Sequence, residues 1–230
     1  KADVIVEVQH HWAHIASVLA ENNVSEKVIG LVADGTGYGT DGAIWGCECL
    51  IASLDRFERF DHLPYYPLAG GDLASKETIR PLLGLMKKHN FAIPQNLLDE
   101  IEPDLKKRQT IELQIDKNVN TVQTSSLGRL FDAAAALCGL GSYNHFEAQL
   151  PMALQAIADT QNHQTYKPDV FSLLVGIIND RMKGVEPKVI SSKFHNTIKE
   201  FFLNFARNAR MQTGINTVAI SGGGFCNTFL

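Results

Sequence analysis

Two strand-like runs, at 28–34 and 43–52, are joined through Asp34-Gly35-Thr36-Gly37-Tyr38-Gly39, and this junction limits what the chain can become. A dinucleotide-binding fold needs a helix to open at the last glycine, so that its N-terminus meets a pyrophosphate. Here Ala43-Ile44-Trp45-Gly46-Cys47-Glu48-Cys49-Leu50-Ile51 alternates as a strand instead. The spacing therefore predicts a β-hairpin headed by Asp34 and continued by an alternating strand at 57–63. A carboxylate at a strand end, followed by flexible backbone amides and a hydroxyl, suits a cation on Asp34 and a phosphate on the N–H groups. A tight turn whose glycines serve only its geometry explains the same residues.

The remaining pattern is a meander followed by helices, and so an α/β chain. A strand at 3–8 leads into a helix at about 10–21 with Trp12, Ile15, Val18 and Leu19 on one side, ended by Asn22-Asn23. Pro64–Pro67 and Ala69–Asp72 read as loop, and 73–89 as a helix kinked at Pro81. Helices are predicted at about 95–116, 126–140, 145–160, 168–183 and 193–212, the last with Ser191 or Ser192 as cap. A strand at 217–220 runs into Ser221-Gly222-Gly223-Gly224. With 230 residues and 45% hydrophobic content, one large domain or two small lobes can be stabilised.

A net charge of −4, with only the short basic run Lys106-Lys107-Arg108, gives no footprint for nucleic acid; that run reads as a solvated helix face. The cysteines at 47, 49, 138 and 226 do not form a disulfide framework, which points to a reducing compartment, the cytoplasm. No run is long and apolar enough to span a membrane, and the first twenty residues lack a signal-peptide pattern.

His10 and His14 stand one helical turn apart and point the same way. As a bare pair they fit an amphipathic helix start as well as a metal site. With Asp34 from a neighbouring strand they would give mixed nitrogen and oxygen ligation suited to zinc or iron, with positions left open. The zinc-protease helix carries Glu directly after its first histidine; here that residue is His11, which disfavours a peptidase. His11 faces away from the pair on a regular helix and reads as either support for the site or packing. Cys47 and Cys49 read as buried small hydrophobes. Cys226 has no local histidine to make it a nucleophile. Ser221–Asn227 follows a strand at a place where backbone amides approach phosphate or ribose, or where the chain merely turns into a helix.

Val8–His14, Asp34–Gly39 with Asp41–Gly46, Gly70–Asp72, Ser126–Ala133, Phe146–Gln149, Lys193–His195 and Ser221–Gly223 occur in this order. The set closely resembles the C-terminal carbamoyltransferase region of the HypF family of hydrogenase maturation proteins. The resemblance implies an α/β, actin-like ATPase fold of two lobes (the ASKHA fold), incomplete at both ends. Residues 1–70 would be the remainder of the N-terminal lobe, and 71–230 a helical insertion and the start of the C-terminal lobe. It implies metal ligation by His10, His14 and Asp34, phosphate contacts from Gly35, Thr36, Gly37, Gly222 and Gly223, ribose contacts from Gly128 and Asp132, and Asn227 near the nucleotide. Lys76 and Arg80 are candidate catalytic cations for carbamoyl or phosphate oxygens.

The implied reaction passes a carbamoyl group from carbamoyl-adenylate to the C-terminal cysteine thiol of the partner HypE, for the cyanide ligands of nickel–iron hydrogenase. The implied cofactors are a divalent metal, zinc or iron, and ATP, with magnesium as a further ion. Carbamoyl phosphate would be activated in upstream domains of the same polypeptide, so the 230 residues alone are not expected to carbamoylate HypE from carbamoyl phosphate and ATP. The rival readings are another actin-fold carbamoyl- or phosphotransferase, such as a sugar kinase, and a nucleotide-binding piece without activity.

Overall fold

The computed structural model describes residues 4–230. Helix α1 spans His10–Glu21 and opens on Gln9, whose side-chain oxygen accepts the Trp12 N–H at 2.8 Å, satisfying one of the donors that every helix start leaves free. Asn22 caps its other end, and Asn23 takes φ 53° to turn the chain away. His11, Ile15 and Leu19 form the buried stripe of α1, with Trp12 and Val18 packed at its margins. The run 4–8, expected as a strand, makes no ladder: Val4, Ile5 and Val6 are 75%, 85% and 75% exposed. Alternation becomes a strand only where a neighbour pairs its N–H and C=O groups, and none does so among the described residues. Residue 3 lies outside them.

Strand β1 (Val28–Tyr38) pairs antiparallel with β2 (Ile44–Ala52), and β2 carries β3 (Phe57–His62). The chain reverses at 39–43, around Gly42 at φ 80°, and not at Asp34–Gly39 as expected. β1 continues through that segment with a bulge: Ala33 faces Cys47 and Gly37 faces Trp45, leaving Asp34, Gly35 and Thr36 opposite Gly46 alone. Gly37 and Gly39 are there for close approach. A Cβ on Gly37 would stand 2.7 Å from His10 Cδ2 and closer still to the His11 ring, and one on Gly39 would meet the Trp45 indole.

Three short strands complete one sheet: β4 (Tyr66–Ala69), β5 (Thr121–Thr124) and β6 (Val218–Ser221). Its order is β4-β5-β2-β1-β6, with β3 also on β2. β4 was expected as loop; Pro67 is accommodated because β4 is the end strand of that order. β5 and β6 come from beyond residue 71 yet join the sheet of β1–β4, so the boundary expected at 70/71 does not divide the strands.

The helices differ from expectation where proline and caps decide. α2 (Ile79–His89) follows a 3₁₀ turn at Gly71–Ser75, and Pro81 sits in its first turn, where a missing N–H costs nothing, so it makes no kink. The single helix expected at 95–116 is two, α3 (Gln95–Ile101) and α4 (Leu105–Lys117). Pro103 pushes Glu102 into an extended conformation, and Asp104 caps the new helix. In the basic run, Lys107 pairs with Glu77 and Glu102, and Arg108, nearly buried, with Asp99. α5 (Leu127–Leu137), α6 (Gln149–Ala156), α7 (Val170–Met182) and α8 (Pro187–Thr213) follow. Ser191 and Ser192 lie inside α8, which opens on Pro187; their hydroxyls donate to the Leu154 and Asp159 carbonyls.

Alternation along β1 sends Val28 and Val32 toward α1, while Ile29, Leu31 and Ala33 face the larger core built with α2, α5, α7 and α8. Cys47 and Cys49 belong to that larger core, and burial pushes the Cys49 thiol up to about 12, as suits a packing residue. No helix among the described residues is long and apolar enough to cross a membrane.

The tightest seam lies between α2 and β4, where a Cβ on Gly84 would overlap the Pro67 carbonyl oxygen. Gly84→Ala should therefore destabilise the fold by about 2 kcal/mol or more, against the roughly 1 kcal/mol that alanine gains over glycine in a helix. Urea unfolding of the two proteins checks the sign; a stabilised variant would refute this packing.

Candidate functional site

α1 and the β1 bulge bring four groups to one point. His10 Nε2 lies 3.0 Å, His14 Nε2 3.5 Å and His11 Nε2 3.9 Å from the same oxygen, Asp34 Oδ2. Oδ1 of that carboxylate accepts the Gly35 N–H at 2.7 Å, which turns Oδ2 toward the imidazoles. His14 Nδ1 stands 3.3 Å from the Ser221 hydroxyl at the end of β6. The bulge makes this possible, because it lifts Asp34 out of the ladder while Gly37 lets the rings lie against the strand.

His11 does not face away as a regular helix wheel predicts; it is fully buried at the same point. Its ring stacks on Trp45 at 6.1 Å and 19°. Burial pushes its pKa down to about 4, against the raising effect of Asp34, so the ring is neutral. Its Nε2 has no hydrogen-bond partner among the described residues, a condition that costs about 1–3 kcal/mol in a folded protein. Ligand atoms of His10, His11 and Asp34 lie within 4.8 Å of one another. Two accessible imidazoles, His10 and His14, and one carboxylate oxygen form a donor set that fits a divalent ion of the zinc or iron class, with the orphaned His11 nitrogen beside it.

Behind the histidines, Trp45 Nε1 donates to Asp41 Oδ1 at 2.9 Å and Arg59 stacks on the indole at 3.8 Å. Arg59 also pairs at 2.7 Å with Glu48, which is fully buried and accepts from the Gly46 N–H and the Ser125 hydroxyl. Burial raises the Glu48 carboxyl even so.

Asp34 also lines a cleft of about 420 Å³, together with Gly35, Gly128, Gly223 and Asn227 from the expected set. β6 runs parallel to β1, with Ser221 level with Val32, so the glycines after it arrive beside Asp34; a Cβ on Gly223 would be 3.8 Å from Oδ1. α5 enters from the other side. Ser126, its cap, donates to the Gly35 carbonyl at 2.5 Å, and a Cβ on Gly128 would stand 2.9 Å from Gly35 Cα. A larger hollow of about 490 Å³ between α2 and α4 brings no such groups together.

Other expected residues lie elsewhere. Thr36 is exposed and Gly37 buried against the histidines, and neither lines the cleft. Gly222, at φ 99°, shapes the turn, and a Cβ there would press on the Ala33 carbonyl. Asp132 does not face the cleft: it is 1% exposed, pairs with Arg129 at 2.8 Å and accepts from Asn144 Nδ2 at 2.8 Å. Burial raises it to about 6, with Arg129 opposing. Its place is behind Arg129, which lines the cleft. Arg80 is not a free cation for substrate oxygens, because it is buried and bound to Glu77 at 2.7 Å and to the Ala69 carbonyl. Lys76 is exposed beside that network and, like Arg80, is off the cleft wall.

Sequence reading assigned no role to Arg129, Glu147 or His195, although all three lie in its ordered motifs. Arg129 and Glu147 line the cleft. His195 is fully buried in α8 and hydrogen-bonds through Nδ1 to the Ser191 carbonyl at 2.8 Å, which leaves Nε2 as acceptor for Asn227 Nδ2 at 3.0 Å. Asn227 Oδ1 accepts the Phe229 N–H, so both ends of this amide are fixed. Cys226, exposed on the cleft rim, is bonded to no base among the described residues.

Known proteins share this arrangement of chain. The family model described as carbamoyltransferase, Kae1-like domain, second subdomain, matches residues 30–230. A carbamoyltransferase HypF homolog of Cupriavidus necator is 31% identical over 98% of this chain and 61% of its own length. The carbamoyltransferase HypF of Synechocystis is 33% identical over 97% of this chain and 32% of its own. A crystal structure of full-length HypF in a phosphate- and nucleotide-bound form superposes with a TM-score of 0.89 at 42% identity, covering 98% of this chain and 31% of that one. The chain thus spans from about a third to three-fifths of the length of these relatives.

Two outcomes follow from the site. His10→Ala and His14→Ala should each lose bound zinc or iron, measured as metal per chain, and weaken ATP binding; unchanged metal content would overturn the ligand set. Burial of His195 lowers its pKa to about 4 from 6.5, with Ser191 opposing. Between those values the unfolded chain binds a proton that the folded one refuses, so stability falls as pH falls, by about 1.4 kcal/mol per pH unit at most. Asp132, raised to about 6, works in the opposite sense, so the difference between proteins is the informative quantity. His195→Gln should flatten the acid-side fall between pH 6.5 and 4 in urea unfolding; an identical slope would refute this.

Proposed function

Because the chain belongs to the HypF carbamoyltransferase family, within its Kae1-like domain, we propose that it performs the transfer step of carbamoyl chemistry. Its fold is that of the family, α/β and actin-like. In this reading a carbamoyl group passes from carbamoyl-adenylate to the C-terminal cysteine thiol of HypE. The thiol sulfur bonds the carbamoyl carbon, the bond from that carbon to the phosphate oxygen breaks, AMP leaves and the thiol proton goes to solvent. Dehydration of the product toward the cyanide ligands of nickel–iron hydrogenase is a later step. Carbamoyl phosphate and ATP would be joined in upstream domains of the same polypeptide. Free thiols at all four cysteines suit the cytoplasm.

The observation that carries this reading is the double position of Asp34, on the three imidazoles and on the wall of the cleft. His10, His14 and Asp34 would hold a zinc or iron ion, which neutralises phosphate charge and polarises an oxygen as a Lewis acid. Gly223 would bring its backbone amide to the phosphates of ATP or carbamoyl-adenylate, while Gly35, its own N–H held by Asp34, would let them approach the strand; magnesium is an ordinary companion there. Phe131 and Met152 offer the apolar wall that a base needs, and Arg129 and Glu147 its polar edge. Lys76 and Arg80 have no part in this step.

The test uses the whole protein that carries this sequence, with carbon-14-labelled carbamoyl phosphate, ATP and HypE. Label should appear on the HypE C-terminal cysteine, and its rate should fall on the order of a hundredfold in His10→Ala or His14→Ala. Transfer of the ATP γ-phosphate to a small hydroxyl, with HypE unlabelled, would refute the reading in favour of a kinase.

A further inference from the structure

The fold places the proton of the His11 ring through an amide on the far side from Asp34. Gln9 Oε1 accepts the Trp12 N–H at 2.8 Å, which fixes which end of that amide is nitrogen. Gln9 Nε2 donates to the Tyr38 carbonyl at 3.1 Å and stands 3.3 Å from His11 Nδ1. An amide nitrogen carries two hydrogens and accepts nothing, so the second contact runs from Gln9 to Nδ1. A ring that accepts at Nδ1 carries no hydrogen there, so its single hydrogen is on Nε2.

That Nε2–H is buried and has no acceptor among the described residues; Asp34 Oδ2, at 3.9 Å, is beyond hydrogen-bond reach. The ring has no room to turn. Trp45 stacks on one side, and Gly37, which tolerates no Cβ, closes on the ring edge. Buried donors without partners are rare in folded proteins, and one held this firmly implies an acceptor that the protein itself does not provide. His10 and His14 are different: their side chains are 46% and 32% exposed, and no amide fixes their tautomers.

We propose that His11 is a hydrogen-bond donor to bound substrate and not a metal ligand, its Nε2–H aimed at a phosphate oxygen seated beside Asp34. The proposal rests on the nucleotide-site reading above and adds the residue that recognises the phosphate. Gln9 is then a positioning residue, acting through the His11 tautomer.

The test takes the full chain labelled with nitrogen-15 at histidine. Long-range proton–nitrogen correlation should show His11 as the Nε2–H tautomer, unchanged when zinc alone is added and shifted when inorganic phosphate follows. Loss of the Nε2 proton on zinc binding would make His11 a ligand and overturn the proposal, as would an Nδ1–H tautomer at rest. By calorimetry, His11→Ala should keep its zinc and bind inorganic phosphate on the order of tenfold more weakly. Gln9→Glu keeps the cap oxygen but presents an acceptor to Nδ1; it should move the proton off Nε2 and weaken phosphate binding similarly with the ring in place. That variant decides the matter if His11→Ala fails to fold. Wild-type affinity in both variants would sink this proposal alone, whereas a wild-type chain that binds no phosphate would sink the nucleotide-site reading with it.

Discussion

The close approach of α1 to the bulged strand β1 is the constraint on which the rest depends. Gly37 permits it, since any side chain there would occupy the space of the His10 and His11 rings. Once the two backbones touch, three imidazole nitrogens stand within 3.9 Å of one carboxylate oxygen, a crowding that is unfavourable unless something positive, or something that accepts hydrogen bonds, is brought in. The surroundings hold this arrangement rigid. Ile15 and Leu19 anchor α1 below, Gly30 lets Ile15 settle on the strand, and Trp45 under Arg59 backs the His11 ring.

A second set of contacts carries this point over to the cleft. The cap of α5 binds the carbonyl of Gly35, the residue next to Asp34, and β6 delivers its glycines at the same level. The bulge is therefore gripped by elements nearly a hundred residues before and after one another in sequence. His195, far along α8, reaches the same region by holding Asn227. A cluster of imidazoles and a cleft that share a carboxylate need such a joint, because each fixes the other's geometry.

Much of the fold and part of the site could be read from sequence. α1, the β1–β2 hairpin and β3 are long or strongly periodic, and their patterns survive in the structure. β4 and β5, with four residues each, are too short for alternation to register, and the run 4–8 shows that alternation alone does not make a strand. His10, His14 and Asp34 were legible because spacing and order brought them forward. His11 was misjudged because a helix wheel describes one helix only, and the strand lying across it decides where the ring ends up. Arg80 and Asp132 were misjudged for a related reason: a charged side chain looks available in sequence until its partners, Glu77 and Arg129, are seen to occupy it. Asn144, which steadies Asp132, carries no local signal, and Gln9, although inside the Val8–His14 motif, shows nothing there of the contact its amide makes with His11.

The bulge in β1 also acts as a parity counter. Side chains alternate along a strand with period two, so each residue inserted or removed upstream exchanges the two faces of everything downstream. Three residues stand opposite one at Asp34–Thr36, and that surplus leaves Gly37 against the rings and Tyr38 in solvent, 81% exposed. With the strand beyond it on its present path, shortening the bulge by one residue would bring Tyr38 to where Gly37 now meets the rings. In this sheet the number of residues in the loop of backbone around Asp34 is as much a part of the site as their identity.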